Sequence, residues 1–141
     1  MIVPVTKKNE NAWAELCVAL WSDLTVDSVL KMSSEGLFKN EFLYIEEGEA
    51  AAFLSLSLRS DYVEGTESSP VGYIEGLYVR PEFRRRKIAE QLVNHAKEWS
   101  KHYGCTELAS DCILDNTASQ AFHTDVGFTE ANRLVCYTMQ L

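Results

Sequence analysis

The sequence predicts an α/β domain in which helices flank a mixed β-sheet, in the order β-α-α-β-β-β-α-β-α-β. Three observations predict it. Apolar residues recur at three-and-four spacing in some segments, branched and aromatic residues cluster in shorter ones, and Gly, Pro or Asn separates the two kinds. The chain has 141 residues, and we expect a single domain over residues 1–141.

The first half of the chain predicts a short strand, two helices and a hairpin. Trp13, Leu16 and Leu20 have helical spacing, and Asn9 or Asn11 can cap their helix. In chain order the predicted elements are a strand at 1–6, helices at about 9–21 and 26–36, and strands at 41–46 and 50–59, joined by the turn Glu47-Gly48.

The second half begins with a polar loop, 60–70, which we expect on the surface. Pro81 ends the strand that follows, and Gly104 and Gly127 each stop a helix. In chain order the predicted elements are a strand at 71–79, a helix at 82–103, a strand at about 106–112, a helix at 116–126, capped by Asp115 or Asn116, and a strand at 133–141.

Composition excludes several classes of protein. The net charge of −8 argues against a nucleic-acid partner, and no apolar run is long enough to span a membrane. Acidity favours a cationic partner, although it can equally serve solubility alone. The four cysteines have neither metal-ligand nor disulfide spacing, so we expect reduced thiols, no metal and a cytoplasmic location.

Four consecutive basic residues, 84–87, stand at the start of the long predicted helix. A helix N-terminus is itself partly positive, so cations there are unfavourable unless an anion binds the exposed amides. The cluster therefore predicts a phosphate site. The alternative is a solvated basic turn whose arginines lie over Glu82 or Glu90.

Residues 73–93 resemble the acetyl-CoA motif of the GNAT superfamily, through Leu77, Val79, Pro81, Arg84 and Ala89. Lys87 departs from that motif, which has Gly there; if the backbone needs a positive φ at this position, cofactor affinity is in doubt. The resemblance implies acetyl-CoA as cosubstrate, bound by Leu77, Tyr78, Val79, Arg84, Arg85, Arg86, Lys87, Ile88 and Ala89.

A second GNAT-like pattern runs from Asn116 through Ser119 and His123 to Gly127-Phe128. The resemblance implies that Asn116 and Ser119 flank the pantetheine and phosphate arm. His123 stands where many members have a tyrosine that protonates the leaving thiolate. A histidine cation can do this at neutral pH, but a structural role is equally open.

Several longer segments are similar to aminoglycoside 6′-N-acetyltransferases, antibiotic-resistance enzymes that work as dimers. The matching segments are Leu20-Trp21, 59–66, 69–76 and 109–116. The resemblance implies a homodimer, a polycationic aminoglycoside substrate, and Asp111 as the carboxylate that meets the reacting 6′-amine. Other cationic amines, such as polyamines or protein amines, and a weakly catalytic CoA-binding module are the alternatives.

A polycation needs carboxylates and a flat apolar wall. Glu75, Asp111 and Asp115 lie at or just past the ends of predicted central strands, where α/β sheets bind ligands. Trp21 and Tyr62 can pack on sugar rings, although Trp21 also fits a core position and Asp115 also fits a helix cap. Asn132 stands where the family often has a carboxylate.

Gly76 suggests a bulge in the strand 71–79. In GNAT folds such a bulge splays two strands and frees an amide for the acetyl carbonyl, and the amide of Leu77 is the candidate here. We expect direct attack of the amine on the thioester, because no Cys-His pairing supports an acyl-enzyme.

Overall fold

A computed structural model describes all residues, 1–141, and contains one five-stranded sheet in the order β1-β2-β3-β4-β5. Neighbouring strands are antiparallel except for β4 and β5, which are parallel. The strands are β1 (Ile2–Pro4), β2 (Asn40–Glu46), β3 (Glu49–Arg59), β4 (Val71–Val79) and β5 (Leu108–Ser110). The helices are α1 (Glu10–Leu20), α2 (Val26–Ser34), α3 (Ile88–His102) and α4 (Thr117–Asp125).

Helices cover both faces of the sheet. The face that packs against α3, here called the α3 face, is apolar and includes Leu54, Leu56 and Leu92. The face that packs against α1 and α2, the α1 face, buries Trp13 and Phe53. Because successive strand residues point to opposite faces, the alternate residues of β3 divide between the two layers.

A register shift between β3 and β4 bears out the bulge that Gly76 suggested. Ser55 lies opposite Gly76 and Leu56 lies opposite Ile74, so Glu75 is the extra residue of β4. The parallel pairing of β4 with β5 also ends here, at Ile74 and Ser110, although β4 continues to Val79. Strands β4 and β5 therefore separate beside Glu75.

The predicted fold class is confirmed, but two elements differ from the sequence prediction. The helix predicted at 82–103 begins only at Ile88, after a 3₁₀ turn at Pro81–Phe83. Arg85 and Lys87 both adopt left-handed backbone, with φ of 65° and 61°, which a continuous helix cannot contain. The basic cluster is therefore a loop that leads into α3.

The strand predicted at 133–141 does not form. Residues 129–141 make no backbone–backbone hydrogen bond, and the large apolar side chains among them are exposed. The segment instead passes the loop 60–70, where Asn132 Nδ2 donates to Glu64 Oε1 at 2.8 Å. Strand propensity alone does not form a strand without a neighbouring edge to pair with.

Three smaller features complete the description of the fold. Thr25 and Ser28 form a reciprocal capping box at the start of α2, which fixes where that helix begins. All four cysteines are unpaired. None of the helices has the length and apolar character required to cross a membrane.

Candidate active site

Three carboxylates and their hydrogen-bond partners form a line across the α1 face, here called the carboxylate row. Glu41 belongs to β2, Glu75 belongs to β4 and Asp111 directly follows β5. They lie together because hydroxyl residues at alternate positions of β3 and β4 reach between the strands. The row is thus a product of sheet register, built from residues up to 70 positions apart.

Glu41 is the buried end of the row, with 8% of its surface exposed. Its carboxyl group accepts from Trp13 Nε1 at 3.2 Å and from Ser55 Oγ at 2.6 Å. Burial raises the pKa of Glu41 to about 7, even though both hydrogen bonds favour the charged form. Glu41 therefore changes protonation near neutral pH.

Glu75, at the centre of the row, is already paired with a cation of the chain. Arg59 donates from Nε to Oε1 at 2.9 Å and from Nη2 to Oε2 at 2.8 Å, and Ser57 Oγ donates to Oε1 at 2.6 Å. Burial would raise the pKa of Glu75, but the hydrogen bonds from Arg59 and Ser57 outweigh it and lower the pKa. Glu75 is therefore ionised.

Asp111 ends the row at the point where β4 and β5 separate. Its Oδ2 atom accepts a hydrogen bond from the hydroxyl group of Tyr73, and the rest of the side chain is exposed. Burial and this hydrogen bond raise the pKa of Tyr73, so the phenol stays protonated and keeps donating. The Asp111 carboxylate is thus oriented by a neutral partner.

A cavity of about 700 Å³ opens beside the row and is lined by Glu41, Glu75 and Trp21. Trp21 stacks on Phe38, with ring centroids 6.0 Å apart. A side chain at Gly76 would meet the Trp21 ring at 2.6 Å, so glycine is needed for this contact. Trp21 is consequently both a packing residue and one wall of the cavity.

Three predicted substrate residues, Tyr62, Asp111 and Asp115, do not line this cavity. Tyr62 is 80% exposed, and its hydroxyl donates to Glu64 Oε2 at 2.9 Å. Asp115 is exposed and does not cap α4; Asn116 does so, with Oδ1 accepting from the Ser119 amide at 3.0 Å. The cap alternative for Asp115 is therefore wrong.

The basic loop offers a cradle of backbone donors. The amides from Arg85 to Glu90 have no acceptor within the chain. Arg84 Nε donates to the carbonyl of Val79 at 3.0 Å, and Arg86 lies 3.4 Å from Glu47 Oε1. None of the arginines forms an ion pair with Glu82 or Glu90. The unused amides at the start of α3 suit a phosphate.

Lys87 has a positive φ, the backbone conformation for which the sequence analysis questioned the affinity for the cofactor. Its side chain is exposed. Ile88 and Val79 are buried in the core, so only their backbone can face a cofactor. The remaining predicted cofactor residues flank them: Leu77 and Ala89 pack on the α3 face, and Tyr78 packs on the α1 face.

His123, on α4, reaches back to the end of β5. Its Nδ1 atom lies 2.7 Å from the carbonyl oxygen of Ser119, which requires a proton on Nδ1. Nε2 lies 2.9 Å from Ser110 Oγ, one residue before Asp111. A neutral His123 accepts from Ser110, whereas its cation donates to it.

The sequence prediction missed Arg59, Ser57 and Glu41 as members of the site. A signal was present in β3, where Ser55, Ser57 and Arg59 alternate with leucines. Period-two alternation places those three side chains on one face and the leucines on the other. That face was not recognised as part of the site.

The sequence of the chain is similar to those of known acetyltransferases. A family model described as the acetyltransferase (GNAT) family matches residues 7–128. The chain is 37% identical to the aminoglycoside N(6′)-acetyltransferase type 1 of Acinetobacter haemolyticus over 99% of its own length and 98% of the relative. A relative of the same description in Stenotrophomonas maltophilia is 38% identical over 96% and 90%.

Solved structures give the same result. A crystal structure of an aminoglycoside 6′-N-acetyltransferase from Acinetobacter haemolyticus has a TM-score of 0.93 and 38% identity, covering 100% of this chain and 99% of that one. A structure of AAC(6′)-Iy in complex with the bisubstrate analogue CoA-S-monomethyl-acetylneamine has a TM-score of 0.92 and 35% identity, covering 100% and 98%. The resemblances inferred from the motifs are confirmed.

Proposed function

Because this chain belongs to the acetyltransferase (GNAT) family, we propose that it transfers the acetyl group of acetyl-CoA to the 6′-amine of aminoglycoside antibiotics, and so confers resistance. The observation that carries the acceptor class is the carboxylate row beside a cavity with an aromatic wall. A polycationic sugar needs carboxylates for its ammonium groups and an apolar surface for its rings.

The chain has the groups that acetyl-CoA requires. The unused amides from Arg85 to Glu90 would hold its pyrophosphate, and Asn116 and Ser119 stand at the start of α4 to flank its arm. When bound, acetyl-CoA supplies a thioester that the free amine attacks directly, so no acyl-enzyme is needed.

The chain's own residues would divide the chemistry among them. Asp111 holds the reacting group and accepts a proton from its ammonium form, directly or through water. The Leu77 amide, beside the bulge at Glu75, donates to the oxygen on which negative charge develops. His123 holds a proton near the end of β5 for the departing sulfur.

Glu75 would bind a neighbouring polar group of the sugar, and Trp21 would pack against a ring. Tyr62 and Asp115 would add contacts at the rim of the site. Both of them, like Asp111, are exposed and do not line the cavity.

We also propose a homodimer. Five large apolar side chains of the C-terminal segment are at least 58% exposed, at Leu134, Val135, Tyr137, Met139 and Leu141. Such a surface is unfavourable in water and is typical of one that another chain covers. Light scattering during gel filtration would give the mass: twice 15.9 kDa supports the dimer, and 15.9 kDa contradicts it.

We place the reaction in the cytoplasm, where acetyl-CoA is available and thiols stay reduced. Two of the cysteines are buried and all four are unpaired, which suits a reducing compartment. Cell fractionation of the native host with an antibody to the protein would test this. Recovery with periplasmic markers would contradict it.

A thiol-release assay tests the activity. We expect acetyl-CoA to release free CoA in the presence of kanamycin A or tobramycin, and much more slowly with spermidine or a lysine peptide. Turnover only with the last two would identify another cationic substrate. Calorimetric binding of acetyl-CoA without turnover of any amine would identify a CoA-binding module.

A resistance assay extends the test to cells. Expression of the chain in a susceptible bacterium should raise the inhibitory concentration of kanamycin but not that of an antibiotic without a 6′-amine. An unchanged inhibitory concentration for kanamycin, despite soluble expression, would contradict a role in resistance.

A further inference from the structure

Arg59 occupies the middle of the carboxylate row. It is the last residue of β3, and its guanidinium makes two parallel hydrogen bonds to the carboxylate of Glu75. The guanidinium carbon lies 3.5 Å from the centre of the Tyr73 ring, whose hydroxyl is bonded to Asp111. One cation of the chain thus lies on an aromatic face between two carboxylates.

The guanidinium of Arg59 neutralises the negative charge of Glu75 before any substrate binds. The two Glu75 oxygens already accept three hydrogen bonds, two from Arg59 and one from Ser57. A carboxylate has about four acceptor positions, so little capacity remains. Asp111, by contrast, has only the neutral hydroxyl of Tyr73 as its hydrogen-bond partner.

The surroundings of the Arg59 guanidinium are those that a substrate ammonium group would need. They include a carboxylate for a charge-assisted hydrogen bond and an aromatic face for a cation–π contact. An ammonium group at Glu75 would have to displace the bidentate arginine, whereas a hydroxyl group can use the remaining acceptor position.

We propose that Arg59 takes the place of a substrate ammonium at Glu75 and so determines acceptor specificity. While Arg59 is there, only Asp111 of the pair Glu75 and Asp111 can hold the reacting amine, and Glu75 accepts a hydroxyl group. Removing the guanidinium opens a second ammonium subsite. This inference rests on the proposed aminoglycoside acetyltransferase activity.

The test compares two substrates that differ in one group. Kanamycin A carries a hydroxyl and kanamycin B an amine at the 2′ position of the ring that bears the 6′-amine. The Arg59→Met variant retains an unbranched apolar stem over Tyr73 but lacks the charge. We expect the ratio of kcat/KM for kanamycin B over kanamycin A to rise about tenfold, because a charged hydrogen bond becomes available.

Two further variants sharpen the test. Lys101→Met removes one cation from an exposed pair with Glu98 and should leave the ratio unchanged. Arg59→Lys keeps the charge but cannot make both hydrogen bonds, so its ratio should lie between those of the wild type and Arg59→Met. Arg59→Lys also tests the inference if Arg59→Met fails to fold, since an unchanged ratio would then contradict it.

Other outcomes overturn the proposal. An equal rise in kcat/KM for both kanamycins in Arg59→Met would indicate only a general change in the electrostatic potential of the site. An unchanged ratio with a lower kcat for both would indicate that Arg59 merely supports Glu75. If the wild type acetylates neither kanamycin, the proposed function itself fails, whereas wild-type turnover with an unaltered ratio in the variants contradicts only the role of Arg59.

Discussion

The α3 face and the α1 face of the sheet use the same strands for different purposes. On the α3 face, Leu54 and Leu56 of β3 pack with Leu92 of α3 in a continuous apolar layer. On the α1 face, Ser55 and Ser57 of the same strand hold the carboxylate row. Along residues 54–57 of this strand, alternation therefore separates stability from chemistry, so a substitution there should affect mainly one of the two.

The largest effect is expected from Asp111→Asn, which removes the proposed proton acceptor. We expect kcat to fall ~10²–10⁴-fold, the usual range for loss of a general base. Acetyl-CoA binding should be retained, because the cradle at the start of α3 is separate. Steady-state kinetics and calorimetry would measure the two effects.

Asp125→Asn is the matched control, because Asp125 is an exposed carboxylate at the end of α4. Its kcat should equal that of the wild type. Loss of acetyl-CoA binding in Asp111→Asn, with catalysis spared, would place Asp111 in the cofactor site and contradict its proposed role.

On the other face, Leu92→Ala should mainly reduce stability. Leu92 is fully buried, and removing a buried leucine side chain typically costs about 2–5 kcal/mol of unfolding free energy. Urea denaturation would measure the loss, while kcat of the remaining folded enzyme should change little.

Ser57→Ala changes a residue of the α1 face and should therefore have little effect on stability. It removes one hydrogen bond to Glu75 and should cost less than about 1.5 kcal/mol of stability. If Ser57→Ala proved as destabilising as Leu92→Ala, the division between the two faces would be wrong.

Glu41 is an exception to the division, because it is a member of the row that is buried like a core residue. Its folded pKa of about 7 lies above the ordinary 4.5, so the folded state binds the proton more tightly. The resulting stability is fully present below about pH 4.5 and is lost as the pH rises through about 7. Between pH 5 and pH 8 we expect this group to lower the unfolding free energy by about 2–3 kcal/mol.

Glu41→Gln should abolish that decline, because an amide does not titrate in this range. Urea denaturation of the wild type and the variant at pH 5 and pH 8 gives the difference, in which contributions from other titrating groups cancel. Glu35→Gln, an exposed change on the chain's surface, should follow the wild-type curve. If the unfolding free energy of Glu41→Gln changed between pH 5 and pH 8 as much as that of the wild type, the raised pKa of Glu41 would be contradicted.

The sequence predicted correctly those elements whose determining residues lie close together in the chain. The helix of Trp13 and Leu16, the Glu47-Gly48 turn and the bulge at Gly76 all have signals within a few residues. The carboxylate Glu75 was likewise recognisable as an ion in an apolar strand. Motif resemblance predicted Asp111 as the carboxylate at the reacting amine and the basic loop as the cofactor site, and both roles stay predictions.

What the sequence did not reveal depends on distant partners. Arg59 pairs with Glu75 only because β3 and β4 are in register, and Glu41 is buried only because Trp13 covers it. The C-terminal segment has strand propensity, but its backbone pairs with no strand of this sheet, and pairing depends on tertiary context that local propensity does not encode. Helix α3 starts late because of backbone angles at Arg85 and Lys87, which no periodic pattern encodes.

The smallest effect is expected at Lys87, in the basic loop just before α3. A non-glycine residue in left-handed backbone costs about 1–2 kcal/mol, and glycine regains part of this while losing about 0.5–1 kcal/mol through its freer unfolded chain. Lys87→Gly should therefore be more stable than Lys87→Ala by about 0.5–1 kcal/mol. Urea denaturation of the two variants measures the backbone effect alone, since both lack the charge.

Acetyl-CoA binding by the same pair separates the side chain from the backbone. If the Lys87 ammonium pairs with a phosphate, Lys87→Ala should bind acetyl-CoA about three- to tenfold more weakly than the wild type. Lys87→Gly should recover part of that loss, because glycine follows the left-handed path without strain. Equal affinity in the wild type and both variants would mean that the cradle depends on its amides alone, with no contribution from position 87.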